Sequence, residues 1–207
     1  MIENMTASEQ TRSRLLDAAR EVFSQHSFQD ATVREICRRA EANVAAVKYH
    51  FGSKDGLLAE ALNFAPLAAL QMANVHADAC PRIRLRLFIR DFMLMLLDEK
   101  NPSSQCRIMA RELADPTPAL DKIVREAIAP LHEFLGELVR EIIAEKISEA
   151  ALRRYVHSIL GQCLFYRHSQ PVLQRLHPRL SYDHKEIEAI AGHIAEFSLA
   201  GLEYKAK

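Results

Sequence analysis

Apolar residues return at steps of three and four along nearly the whole chain, which leaves only one kind of element to build with. That spacing lays side chains along one stripe of an α-helix, whereas a half-buried strand needs strict alternation. Leu15, Ala19, Val22 and Phe23 make one such stripe, and Ile187, Ile190, Ala191, Ile194 and Phe197 make another. Alternating β-branched runs are nearly absent. Eight prolines and six glycines in 207 residues are too few for the frequent turns of a sheet protein. The expected fold is all-α.

Caps and breakers divide the chain. Thr6 and Glu9 are spaced as a capping box for a first helix that ends at His26-Ser27. Thr32 can cap a second helix with Glu35 reaching back to it. Asn43 is placed to cap a third, from Val44 to about His50, and Ser53 a fourth. Further helices are expected over about 82–99, 104–114, 118–146, 149–169 and 184–204, the last opened by a second box at Asp183 and Glu186. Asn101-Pro102, the Asp115-Pro116-Thr117-Pro118 run and Gln170-Pro171 punctuate them, and Pro130 should kink or break the longest. This predicts an N-terminal three-helix domain with a helix-turn-helix over residues 1–56 and a helical bundle over 57–207. The first helix of that body begins near residue 53.

The stretch from Thr32 to Lys54 carries the chemistry. Ala40, Ala42 and Ala46 are small enough for two short helices to cross closely, and Val33, Ile36, Val47 and Phe51 supply their inner faces. Val44, Ala45, Lys48 and Tyr49 are then left to face outward from the third helix. The first turn of a helix entering the major groove meets base edges, where Val44 and Ala45 would touch thymine methyls and Lys48 a guanine edge or a phosphate. Asn43 opens that helix. Tyr49, His50 and Lys54 cluster at its exit and suit phosphate contacts, as does Thr32 at a helix N-terminus. Arg34 adds a cation beside them. Five cations face two carboxylates between Arg34 and Lys54, a local excess of three in a chain of zero net charge.

With these residues in place, the first 60 or so resemble the TetR family of bacterial regulators: LLDAAREVF (Leu15 to Phe23), TVREICRRA (Thr32 to Ala40) and KYHFGSKDGLL (Lys48 to Leu58). NVAAVKYHFGSKDGL and the later GQCLFYRHSQPVLQRL (Gly161 to Leu176) are similar to the subfamily that includes CecR. One departure stands out: Glu41 occupies the turn where the family usually has glycine. A glutamate there must accept a left-handed backbone, at about 1 kcal/mol, or change the turn.

The resemblance implies a regulator, most often a repressor, that binds a palindromic double-stranded DNA operator as a homodimer and is released by a small-molecule effector. The implied dimer pairs the last two long helices. Their stripes are Leu152, Val156, Ile159 and Leu160 on one and Ile187, Ile190, Ile194 and Phe197 on the other. The same stripes could instead face the monomer's own core. For the implied pocket, Phe88, Phe92, Met95 and Met109 are candidates, with Phe134, Leu164 and Phe165, since aromatics and methionines make adaptable apolar walls. For any one of them, core packing is the commoner role. Arg107, His132 and His168 are the polar groups expected near it.

Other classes find less support. There is no Gly-rich phosphate loop, Gly-x-Ser-x-Gly elbow or His-Glu-x-x-His, so the residues give no reason to expect an enzyme or a cofactor. A metal-sensing regulator could draw on His157, Cys163 and His168, but spacings of six and five put them on different helix faces. No metal site is expected. The four scattered cysteines suit reduced thiols better than a disulfide framework. No apolar run approaches the roughly 20 residues of a membrane span, and the N-terminus lacks a signal-like stretch, so a cytoplasmic protein without a membrane partner is expected.

Overall fold

A computed structural model of the chain describes residues 6–62, 79–97 and 104–204, which contain helices and no strand. In order these are α1 (Ala7–Gln25), α2 (Val33–Arg39), α3 (Val44–Phe51), α4 (Lys54–Ala61), α5 (Pro81–Leu97), α6 (Ser104–Ala114) and α7 (Ala119–Ile123). A π-helical turn (Val124–Ile128) leads into α8 (Ala129–Ile143), followed by α9 (Glu149–His168), α10 (Gln170–Leu176) and α11 (His184–Glu203). The expected end of the fifth helix at residue 99 and the Asn101-Pro102 break lie outside the described residues. The chain divides into two compact units, residues 1–64 with 102–126 and residues 65–101 with 127–207.

Side chains rather than propensity start most of these helices. Thr6, Thr32, Asn43, Ser53, Ser148 and Asp183 each accept a hydrogen bond from an amide two or three residues on, a contribution of about 1 kcal/mol apiece. At Thr6 the box is complete, for Glu9 returns a bond to the Thr6 amide at 2.7 Å. The other two expected boxes are half formed. Glu35 turns away from Thr32 towards Arg38 and Arg39. Asp183 accepts from the Glu186 amide at 3.0 Å and from the Ser181 hydroxyl, and Glu186 does not return the bond.

Prolines act close to expectation, with one difference. Pro130 has no N–H to give the carbonyl four residues back, and the turn before it winds as a π-helix instead of breaking. Gln170-Pro171 does not merely stop a helix: Pro171 sits in the first turn of a new one, α10, only Ser169 intervening. Helix α8 ends at Ile143, short of the expected 146, because Ala144 adopts a left-handed conformation at φ 55°.

In the first unit α1 is the spine. Leu15, Ala19 and Val22 have no exposed surface, and α2, α4 and α6 pack on that helix. Arg12 pairs with Glu60 and lays its guanidinium over the Phe51 ring, 5.3 Å from its centre. Arg20 donates to the Ala61 carbonyl at the end of α4 (3.1 Å). In the second unit α5 and α11 run antiparallel, tied by Arg82–Glu203 and Arg86–Glu196. Arg84–Glu141 joins α5 to α8, and Arg140–Glu149 joins α8 to α9.

That second core corrects part of the dimer expectation. Leu152, Val156, Ile159, Ile187, Ile190 and Ile194 are all buried in it, packed within the chain's own unit. Of the eight residues proposed for a partner, only Leu160, half-buried, and Phe197, 64% exposed, keep surface to offer.

Glu41 takes the strained alternative: its φ is +48°, and its exposed carboxylate lies 3.9 Å from Arg14, too solvated to repay much. Replacing Glu41 with glycine should raise stability by about 0.5–1 kcal/mol, read as a higher melting temperature with an unchanged helical spectrum.

Candidate nucleic-acid interface

Helix α3 has two faces fixed by its period. Val47 and Phe51, four apart, are buried against the first unit, whereas Val44, Ala45, Lys48 and Tyr49 point to solvent. Tyr49 is 81% exposed and Val44 49%. Large side chains held outward on a rigid helix satisfy no packing need of their own. Asn43 opens the face, its side-chain oxygen accepting from the Ala45 amide at 2.9 Å, so its amide NH2 remains available beside the first turn. His50 is half-buried and meets Tyr49 edge-on, with ring centroids 4.8 Å apart, which stiffens the tyrosine.

Charge is arranged differently from the simple excess of three. Glu35 accepts from Arg38 at 2.8 Å and from Arg39 at 2.7 Å, and those two guanidiniums pull its carboxyl from 4.5 down to about 2. Arg39 also pairs with Glu21 at 2.7 Å. Both arginines are therefore compensated at short range. Arg34 and Lys48 are exposed and make no ion pair with any described residue. Thr32 is exposed at the head of α2, but its hydroxyl is committed to the Glu35 amide at 3.1 Å.

Lys54 departs most from its expected role. Its Nζ donates to the Phe28 carbonyl and lies over the Phe28 ring, 4.2 Å from the centre. Burial lowers its pKa. It is a strut between α4 and the connection from α1 to α2, not a hand held out to phosphate. Its neighbours are structural too. Gly52 takes φ +73° to end α3, Ser53 caps α4, and a Cβ on Gly56 would fall 2.1 Å from the Phe51 carbonyl. The segment from Phe51 to Gly56 thus fixes how α4 meets α3, which sequence reasoning read as phosphate grip.

The expected pocket residues converge only in part, and those that do are packed in the second core. Phe88 and Phe92 are buried and stacked 5.7 Å apart, with Phe134 5.9 Å from Phe88; Met95 and Leu164 pack half-buried on the same core. Phe165 and His168 face solvent, on the outer side of α9. Arg107 and Met109 belong to the first unit, on α6. His132 sits edge-on to His157 at 5.1 Å, its pKa lowered by burial and by that neighbour. A residue that periodicity could not single out is Tyr182: its hydroxyl is buried in the second core with no partner among the described residues. The metal-sensing set also separates. Cys163 is fully buried, its thiol pushed up to about 12, while His157 and His168 are exposed. No group of three or more metal-ligating side chains gathers among the described residues, and no described helix is long and apolar enough to cross a membrane.

Comparison with known proteins fits this geometry. Residues 15–61 match the family of bacterial regulatory proteins named for TetR, and residues 81–202 match the C-terminal domain of the HTH-type transcriptional dual regulator CecR. CecR of Shigella flexneri is 25% identical over 88% of this chain and 86% of its own length. The transcriptional regulator UidR of Escherichia coli K12 is 39% identical over 59 residues, covering 28% of this chain and 30% of its own. In fold, the chain is similar to FadR of Bacillus subtilis, solved with stearoyl-CoA: TM-score 0.68 at 16% identity, covering 92% of this chain and 98% of that one.

The two kinds of cation should separate experimentally. Lys48→Ala and Arg34→Ala should each weaken duplex binding and flatten its salt dependence by about one unit of log–log slope. Lys54→Ala should lower the melting temperature and leave that slope alone. Fluorescence anisotropy across a salt series, beside thermal melts, distinguishes them. Glu35, held low when folded, stabilises above 4.5 and loses that effect as pH falls towards 2. Glu35→Gln should therefore flatten the acid limb of a stability–pH curve.

Proposed function

The chain belongs to the TetR family of bacterial regulatory proteins, in the branch with the CecR C-terminal domain, and we propose that it represses transcription as a homodimer bound to a palindromic operator. The observation that carries this reading is the outward row on α3, Val44, Ala45, Lys48 and Tyr49, opposed to the buried Val47 and Phe51. Val44 and Ala45 meet thymine methyls, Lys48 a base edge or phosphate, and Tyr49, His50, Arg34 and the head of α2 at Thr32 the backbone. We assign it to the cytoplasm, where a regulator of this family meets its DNA.

The dimer rests on the outer face of α9 and α11. Gly161 and Gly201 stand there with nothing within 4 Å of where a Cβ would go, so packing within the chain does not require them. Glycine costs about 1 kcal/mol against alanine inside a helix, and close approach of a second chain accounts for that cost. Phe165 and Phe197 are more than half exposed beside them, and a cleft of about 360 Å³ between the two helices is lined by Gly161, Phe165, Tyr166 and His193. This face, rather than the buried stripes, is the surface we assign to the partner.

A small apolar effector in the second unit would act by preferring the conformation that does not fit DNA. Operator and effector then weaken each other by the same factor, and a difference of about 3 kcal/mol gives more than 100-fold release. The Tyr182 hydroxyl, buried without a partner among the described residues, supports a site there, for an unsatisfied buried hydroxyl forfeits about 1–3 kcal/mol that a ligand acceptor recovers.

Selection of the purified protein from a random duplex pool is the direct test. A palindromic winner bound with a steep salt slope is expected, and the absence of any enriched sequence would overturn the reading. Phe197→Glu should give a folded monomer by light scattering, with operator affinity lowered at least tenfold.

A further inference from the structure

We infer that the contact between His132 on α8 and His157 on α9 is a proton-operated latch, holding the two helices together while both rings are neutral and loosening them in mild acid. The rings meet edge-on, with centroids 5.1 Å apart and planes 68° from parallel. Neutral aromatic rings attract in that arrangement, whereas two imidazolium rings at the same distance repel. His157 faces solvent, so protons reach the pair. His132 is half-buried and would carry its charge partly out of water.

The surroundings leave that second charge uncompensated. Neither ring bonds to or pairs with a carboxylate among the described residues. On α9, Arg153 and Arg154 lie about one turn before His157, exposed and without an ion pair, and they only add positive charge. On α8, Glu133 follows His132 but is exposed and binds neither ring. Helices α5 and α11 also pack on α8. From α5, Arg84 reaches α8 at Glu141 (2.7 Å), more than two turns from His132, and Asp91 is held by Arg90. From α11, Glu196 and Glu203 are spent on α5, and no charged side chain pairs with α8. Burial and then the charge of His157 lower the pKa of His132, and no carboxylate raises it. The unfolded chain therefore takes up the proton first, so the contact is fully effective above 6.5 and weakens as pH falls below it.

The latch sits where the two helices are closest. Gly136, one turn along α8 from His132, faces Leu152 of α9, whose side chain comes within 3.6 Å of where a Cβ would stand. Gly161 and Phe165 follow His157 by one and two turns on the outer side of α9. On the partner reading above, acid would thus disturb the face assigned to the second chain. The test reads the latch within one chain, so its failure and the failure of that reading are separate.

Full-length protein with isotope-labelled histidine rings and leucine methyls is followed by NMR from about pH 7.5 to about pH 5, the range in which imidazoles titrate. His132 should titrate below 6.5, and the Leu152 methyls should shift with the same midpoint. His157→Gln, at an exposed position, should raise the His132 midpoint by about 0.5, as loss of a like charge requires, and remove most of the Leu152 shift. His168→Gln, on the same helix but outside the contact, should change neither. Leu152 methyls that ignore the His132 midpoint, or a His132 midpoint that ignores His157→Gln, would each overturn the latch.

Discussion

Helices α2, α3 and α4 have seven or eight residues each, and none is long enough to hold its shape alone. Isolated helices below about 12–15 residues are marginal in water, so the outward row of α3 is held in place only because α1 gives those short helices something to lie on. Leu15, Ala19 and Val22 supply that ground, while Arg12 and Arg20 pin α4 to it at Glu60 and Ala61. The consequence for function is rigidity. A side chain such as Lys48 can read a base edge only if its helix is placed to a fraction of an ångström, and here the placement comes from buried aliphatic contact and two guanidinium clamps rather than from α3 itself.

The segment from Phe51 to Gly56 does the same work at closer range. Gly52 ends α3 in a conformation that side chains resist, Ser53 starts α4, Lys54 ties it to Phe28, and Gly56 lets its first turn come against the Phe51 carbonyl. Each residue answers a backbone demand. A segment this specific in sequence is specific because geometry leaves few choices, and only Tyr49, just before it, is spent wholly on the outside.

Periodicity and caps were therefore good guides to the elements. The stripe of α1, the caps at Thr6, Thr32, Asn43 and Ser53 and the outward row on α3 could all be read from residue type and spacing, whereas the family resemblance left Glu41 open between a left-handed residue and a changed turn. What could not be read is where a long flexible side chain goes once the helices are packed. Lys54 could reach outward or back to Phe28, and Glu35 could return to Thr32 or meet two arginines; spacing permits each of these. The stripes of α9 and α11 pose the same difficulty at larger scale. Leu152 and Ile187 are apolar whether they face their own core or a partner, and only the three-dimensional packing assigns them inward and leaves Phe165 and Phe197 outside. Tyr182 gave no pattern at all, because an orphaned hydroxyl is defined by what surrounds it.

The pairing of charges gives the proposed dimer a physical rationale. With Arg38 and Arg39 held by Glu35 and Lys54 turned inward, one reading unit offers DNA chiefly Arg34 and Lys48 as uncompensated cations. Binding falls with salt by about 0.9 logarithmic units for each phosphate neutralised, so a single unit with about two such contacts gains little from counterion release. In the proposed dimer, two units joined through α9 and α11 would double that gain. They also make the second contact intramolecular, raising the effective concentration of the second head to roughly millimolar or more. On that proposal a neutral chain with a sparsely charged reading face would reach useful affinity by pairing, and whatever altered the spacing of the pair would remove most of that affinity without touching a residue of α3.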